Sequence, residues 1–272
     1  MALLVEEIFD YAAAYLNGQN DGIGWNGAWS CNQSGATPYA STEIGNQAPH
    51  LDPSLPQAGP SQYYTNLNAG NGANNNEAYF LFKAVGTSTP SYGNRTFNAI
   101  SNDGKTYWVA FTLAVSTAKY AITWQLTGLT TDAAGTTQAT VLNLSASTTR
   151  TQVSANGTNL WLPSAVEGSD PYTAPYAIHL IVIKIAMSGV AANPVTVTWY
   201  LDPDLSKDST AWTSATSNNT WYVKTSITNW GYPATGTATS SSDSRGYMDN
   251  FRIATTWQEA VGVQSGNFFM MF

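Results

Sequence analysis

The clearest signal along this chain is alternation of apolar and polar residues with a period of two, the pattern of a strand buried on one side. Between Thr106 and Val115 the residues Tyr107, Val109, Phe111, Leu113 and Val115 share one face, and between Tyr120 and Thr127 Ile122, Trp124 and Leu126 do the same. Glu77–Val85, Gln138–Leu144, Asn159–Leu162, Val195–Leu201, Trp221–Thr228 and Tyr247–Thr255 read as further strands. Ala177–Met187 is apolar on both faces, which predicts a central strand covered from each side. The one helical signal is a short turn at Gln258–Val261. About ten strands separated by turn residues predict an all-β fold, a two-sheet antiparallel sandwich of jelly-roll type.

The polar stretches complete the outline. Glu7–Tyr11 reads as a first strand, followed by a loop in which Gly18, Gly22, Gly24 and Gly27 alternate with polar residues. Trp25 and Trp29 are large apolar anchors in that loop, so it is expected to fold back onto a core. Residues 31–76 form a long irregular excursion carrying Pro38, Pro49, Pro53, Pro56 and Pro60, and excursions of that length are usually functional or held by a neighbour. The Ser/Thr-rich run Thr235–Ser244 is read as a loop, because strand pattern resumes beyond it. The chain ends on Gly266-Asn267-Phe268-Phe269-Met270-Met271-Phe272. Phe268, Phe269, Met270, Met271 and Phe272 are interface candidates, since exposed tails are normally polar. At 272 residues the expectation is one large sandwich domain spanning 1–272.

Three stretches resemble one known group. Phe9-Asp10-Tyr11 with the following Gly-Gln-Asn, Gly-Trp and Gly-Ala-Trp elements, the closing Ile253-Ala254-Thr255-Thr256-Trp257, and the turn Asp202-Pro203-Asp204-Leu205 resemble the concanavalin A-like lectin/glucanase superfamily, in its laminin-G-like bacterial and phage form. The resemblance implies the concanavalin A-like jelly roll. It also implies that both signatures, though at opposite ends of the chain, lie in one sandwich, with Phe9–Tyr11 and Phe251–Ile253 in the same sheet.

Composition narrows the function. Only 10% of residues are charged and the net charge is −7, so a nucleic-acid partner is not expected, for want of the Lys/Arg clusters that displace counterions. No apolar run is long enough to span a bilayer, and Met1–Val5 lacks the features of a secretory leader. Cys31 is the sole cysteine, so the fold is expected to rest on packing and to hold Cys31 buried.

Candidate chemistry is sparse. A retaining glycosidase needs two carboxylates on one strand face about 5 Å apart, and no Glu-x-Asp-x-Glu string or near variant is present. His50 and His179 have no nucleophile tied to them by a motif. Asp202, Asp204 and Asp208 are hard oxygen donors that could hold Ca²⁺, with a turn at Asp202-Pro203 as the plainer reading. Trp230, Tyr232, Trp161, Trp212 and Tyr172 are candidate glycan-binding aromatics, because flat rings bordered by polar groups stack on sugars; Tyr63, Tyr64 and Tyr92 belong to the same class.

The expectation from sequence is therefore a non-enzymatic surface-display protein: a phage virion component, as a capsid decoration or fibre-associated subunit with glycan-binding capacity. Its partners would be identical subunits, the major capsid protein or cell-surface glycans, and its place the virion surface. The alternative is an extracellular carbohydrate-binding, lectin-like module of a secreted bacterial protein. A glycoside hydrolase ranks below both.

Overall fold

The alternating segments form two antiparallel sheets whose apolar faces meet. The computed structural model describes residues 2–7, 14–15, 18–31, 39–41, 79–84, 92–117, 122–147, 150–155, 158–161, 178–216, 220–233 and 244–262. The first sheet contains β1 (Leu3–Glu7), β2 (Ala14–Tyr15), β4 (Tyr39–Ser41), β5 (Tyr79–Ala84), β7 (Thr106–Thr117), β12 (Ile178–Ala186), β13 (Thr196–Leu201), β14 (Ser214–Thr216) and β17 (Ser244–Ala254). Its strand order is β14-β13-β12-β7-β17-β5-β4-β2, and β1 also pairs with β17. The second sheet contains β3 (Ser30–Cys31), β6 (Tyr92–Ser101), β8 (Ile122–Thr130), β9 (Gln138–Ser147), β10 (Arg150–Ala155), β11 (Thr158–Trp161), β15 (Tyr222–Val223) and β16 (Ser226–Pro233). Its order is β11-β10-β9-β8-β16-β6-β3, with β15 beside β8. A single short helix, α1 (Trp257–Val261), is found among the described residues. This is the two-sheet, concanavalin A-like jelly roll that the alternation and the resemblance implied.

The core follows from the period of two. Tyr107, Val109 and Phe111 of β7, Ile181, Ile183 and Ile185 of β12, Val197 and Trp199 of β13, and Phe251 and Ile253 of β17 face Trp124 and Leu126 of β8, Ile227 and Trp230 of β16, and Phe97 and Ile100 of β6. Trp124 and Trp230 stack at 5.2 Å, and Trp230 meets Phe251 at 4.7 Å, so aromatic rings from both sheets fill the centre. Each fully buried side chain of this size contributes about 1.5–3 kcal/mol. β12 is central as expected: Ile181, Ile183 and Ile185 enter this core, while Leu180 and Val182 enter a second apolar cluster on the other face.

Near the start of the chain it is β1 that joins the last strand. β1 pairs with β17 through Val5↔Ile253 and Glu7↔Phe251, so the pairing segment is Leu3–Glu7, whereas Phe9–Tyr11 lies outside the described residues. Two substantial strands carry no clean alternation in the sequence. β6 mixes Asn94, Arg95 and Asn98 with Phe97 and Ile100 and buries Arg95 as if it were apolar. β10 is short and polar, and it is placed by its partners β9 and β11.

Candidate functional site

The face of the first sheet that looks away from the core has two zones. In one, Trp108, Ala110, Leu180, Val182, Tyr200 and Ala254 are buried beneath the segment 202–212 and α1. Trp212 is the keystone of that cover: its ring lies 5.2 Å from Tyr200, 5.0 Å from Trp257 and 6.3 Å from Trp108, edge-on to each. Trp108 in turn stacks on Tyr200 at 6.0 Å. Lys184 borders this zone, with its ammonium 5.4 Å from the Trp108 ring centre, a cation–π contact.

The other zone follows from register. Ala114 is in step with Ala110 and Trp108 on β7, and opposite it stands Tyr247 of β17. Tyr247 pairs with Leu81 of β5, Leu81 with Tyr39 of β4, and Tyr39 with Tyr15 of β2. One cross-strand row thus brings the positions of three tyrosines, Tyr247, Tyr39 and Tyr15, into line across β17, β4 and β2. Neighbouring positions of the same parity are Tyr79 and Ser41, which pair with each other, Asp249, which pairs with Thr112, and Lys83 and Arg245, which pair with each other. The alternate positions in these strands include Phe80, Phe82, Ala40 and Met248, all apolar residue types. Among the charged positions named here one is a carboxyl, Asp249, and two, Lys83 and Arg245, are cations.

The segment 202–212 rises onto this face where β13 ends. Asp202 adopts φ 45°, a left-handed conformation that aspartate tolerates better than most residues. Its N–H donates to the Leu180 carbonyl at 2.9 Å, and its carboxylate accepts the Leu180 N–H at 2.8 Å. Asp204 accepts from the Ser206 hydroxyl at 2.5 Å and pairs with Lys207 at 3.0 Å; the Ser206 hydroxyl first, then Lys207, hold its carboxyl below the usual range. Asp208 caps the 3₁₀ turn Ser209–Ala211 by accepting the Thr210 N–H at 2.9 Å, which lowers its carboxyl likewise. The Trp212 indole N–H donates to the Asp204 carbonyl at 2.8 Å and closes the segment.

The glycine-rich loop is built on other terms. Glu6 and Ile23 exchange both backbone hydrogen bonds, at 3.0 and 2.9 Å, and Asn26 and Asn98 bond to Thr96 and Gly24 across to β6. The loop therefore stitches β1 of the first sheet to β6 of the second. At its centre Arg95, 1% exposed, donates Nη1 to Glu7 Oε2 at 2.5 Å, Nε to the Gly27 carbonyl at 2.7 Å and Nη2 to Asn20 Oδ1 at 2.8 Å. Trp29 Nε1 donates to the same Glu7 oxygen at 3.0 Å, and Trp25 lies over the guanidinium at 4.7 Å. Each donor that Arg95 turns toward the loop fixes a loop atom, which gives this buried pair a structural task.

The residues singled out from sequence scatter. Trp230 is 0% exposed in the main core and Trp212 is 7% exposed in the second cluster, so neither presents a face to a sugar; the sandwich buries its tryptophans between and upon its sheets. Trp161 is on β11, Tyr232 on β16 and Tyr92 on β6, far in strand order from the tyrosine row, which lies in the first sheet. Tyr172, Tyr63, Tyr64, His50 and the tail Phe268, Phe269, Met270, Met271 and Phe272 lie outside the described residues. His179 pairs with Leu113 on β12, and Cys31 is on β3. Asp202, Asp204 and Asp208 each serve a separate turn contact. Among the described residues no group of three His, Cys, Asp or Glu is arranged to hold a metal ion, and no helix is long and apolar enough to cross a membrane. The tyrosine row escaped notice because Tyr15 and Tyr39 sit in strands of two and three residues, too short to show a period. The one available signal was the sequence Tyr79-Phe80-Leu81-Phe82-Lys83, a strand pattern ending on a charge.

No family model matches the sequence, and no curated protein is similar to it. The fold is similar to solved structures at low identity. An endo-β-1,4-glucuronan lyase from the fungus Trichoderma reesei is 9% identical with a TM-score of 0.49, over 91% of this chain and 97% of that one. The alginate lyase Aly36B is 10% identical with a TM-score of 0.47, over 94% and 100%. A carbohydrate esterase of the Shiga toxin-encoding bacteriophage phi24B is 12% identical with a TM-score of 0.46, over 93% and 97%. These matches, lyases and an esterase, correct the expectation of a non-enzymatic structural protein. The sequence argument for that expectation was also too narrow, because a missing carboxylate pair speaks only against glycosidases that use one.

Proposed function

We propose that this protein is a polysaccharide-processing enzyme that works on the outer face of its first sheet, over β7, β17, β5, β4 and β2. The observation that carries this reading is the cross-strand row Ala114–Tyr247–Leu81–Tyr39–Tyr15, flanked by Lys83, Arg245, Tyr79, Ser41 and Asp249. Adjacent strands are spaced about 4.8 Å apart, so a sugar chain laid across this row would meet one of these positions at each strand. Tyrosine combines an apolar ring with a hydroxyl that can give or take a proton.

The residue types also select the chemistry. With Asp249 as its carboxyl, this set does not assemble the acid and nucleophile pair of a retaining glycosidase. A tyrosine acting as proton donor or acceptor, beside cations that stabilise a developing negative charge, suits a reaction begun by proton transfer. Tyr247, two positions from Arg245 and from Asp249 on β17, is assigned the first role, and Arg245 and Lys83 the second.

The test is turnover on a panel comprising alginate, glucuronan, an acetylated glycan and a neutral β-glucan. Elimination shows as ultraviolet absorbance of unsaturated sugar ends, hydrolysis as reducing ends without it, and ester cleavage as released acid. Turnover of at least one polymer is expected, falling about 100-fold or more in Tyr247→Phe, the usual scale of a lost proton-transfer group. Absence of turnover across the panel, or full activity in Tyr247→Phe, would remove the reading.

A further inference from the structure

We infer that Asn26-Gly27, in the loop that ties β1 to β6, is a self-modifying site at which the asparagine loses its side-chain nitrogen and becomes isoaspartate or aspartate. The site does not depend on the polysaccharide reading above. Asn26 is exposed, and among the described residues neither its carboxamide nor the Gly27 N–H has a hydrogen-bond partner. The main chain on either side is held. The Asn26 N–H donates to the Thr96 carbonyl at 2.9 Å, the Thr96 hydroxyl donates to the Asn26 carbonyl at 3.4 Å, and the Gly27 carbonyl accepts Arg95 Nε at 2.7 Å. Gly27 has no side chain to crowd its nitrogen, and a Cβ there would meet no atom within 4 Å. No other asparagine among the described residues precedes a glycine. Asn102, followed by Asp103, has its carboxamide tied to the Val223 carbonyl at 2.7 Å and to the Gly189 N–H at 2.9 Å. Asn20 accepts from Arg95 Nη2 at 2.8 Å, and Asn193 precedes Pro194, whose nitrogen carries no hydrogen.

The reaction needs only water. The Gly27 nitrogen attacks the Asn26 Cγ and closes a five-membered ring, while the bond from Cγ to the side-chain nitrogen breaks. That nitrogen leaves as ammonia, carrying the proton given up by the Gly27 N–H. Water then opens the ring at either carbonyl, and opening at the original main-chain carbonyl gives isoaspartate, in which the main chain runs on through Cβ and Cγ. Either product adds a negative charge, and isoaspartate also adds one carbon to the main chain. That carbon falls between the N–H clasped by Thr96 and the Gly27 carbonyl clasped by Arg95. Arg95 is 1% exposed and holds Glu7 and Asn20 as well, so it cannot follow a lengthened loop without giving up those partners. The modification therefore loosens the loop, and it does so irreversibly.

The test is storage of the full chain in mildly alkaline buffer at physiological temperature, followed by peptide mapping in a mass spectrometer. Replacing NH2 by OH adds about one mass unit, and fragmentation separates isoaspartate from aspartate. The modified fraction at Asn26 should exceed that at Asn102 in the same sample by about tenfold or more, since a following side chain crowds the attacking nitrogen only at Asn102. The Trp29 and Asn98 amides, which bond to the Gln19 and Gly24 carbonyls, should exchange hydrogen faster in stored than in fresh protein. Asn26→Gln keeps an exposed carboxamide but needs a larger ring, so its mass and its exchange should stay unchanged on storage. Modification of Asn26 no faster than that of Asn102 would overturn the site. Exchange that quickens equally in stored Asn26→Gln would overturn its link to the loop.

Discussion

The loop 18–29 and the segment 202–212 both connect strands through turns rich in Gly, Asp or Asn, yet they are held by opposite means. The loop is held by a buried charge. Glu7 and Arg95, each 1% exposed, come from different sheets, and the guanidinium spends its donors on Glu7, Gly27 and Asn20. The segment is held by an aromatic cluster under it and by carboxylates at its surface, where water competes for every contact. A charge removed from water must keep its partners, since breaking one side leaves the other uncompensated. A surface carboxylate that loses its turn contact is simply rehydrated. The two regions should therefore differ in how steeply they respond to single substitutions, and the loop should be the more brittle.

Arg95→Ala tests the brittle side and should have the largest effect, a loss of about 3–5 kcal/mol of stability in urea unfolding. Glu7→Leu with Arg95→Met should cost less than the sum of the two single changes, because the pair is then removed as a unit. Additive losses would mean that the pair carries no coupling and that the contrast between the regions is misplaced.

A smaller effect belongs to the close approach of the loop to β1. Gly24 has φ +77°, and a Cβ there would stand 1.8 Å from the Leu4 carbonyl oxygen. Gly24→Ala must push the loop off β1, and a destabilisation of roughly 1–3 kcal/mol is expected for backbone strain of this kind. Hydrogen exchange of the Glu6 and Ile23 amides should accelerate with it, and unchanged exchange would show that the loop does not depend on this contact.

The smallest and most conditional effect lies in the segment. Asp204 has its carboxyl held low by Ser206 and Lys207, so its contribution is present above the unfolded carboxylate pKa of about 3.9 and fades as pH falls through the lower folded value. The melting temperature of Asp204→Ala should lie slightly below wild type at neutral pH, and the two should converge in acid. A gap that widens in acid would reverse the sign and end this account.

Much of the fold was legible because burial on one face writes itself into every second residue. Thr106–Val115, Gln138–Leu144, Ala177–Met187 and Val195–Leu201 recur as β7, β9, β12 and β13 with ends shifted by a few residues. β6 was missed because its buried members include Arg95, whose inward turn is possible only where Glu7 already stands. The site was less legible. Trp230 and Trp212 drew attention as large flat rings, but a ring stacks equally well on a neighbouring ring, and only packing tells which it has met.

By itself the sequence determined the period of two, the central place of the doubly apolar strand and the sparsely charged, hydroxyl-rich composition. Each of these is set by local residue type and by the cost of exposing apolar surface. Tertiary structure alone decided which residues far apart in the chain share a row. Tyr15, Tyr39, Leu81 and Tyr247 become neighbours through β2, β4, β5 and β17, and strand order is a property of the whole sheet that no single segment encodes. It likewise decided that Asp202, Asp204 and Asp208 serve three separate turns, because the direction of each carboxylate depends on a backbone fixed by Leu180 and Trp212.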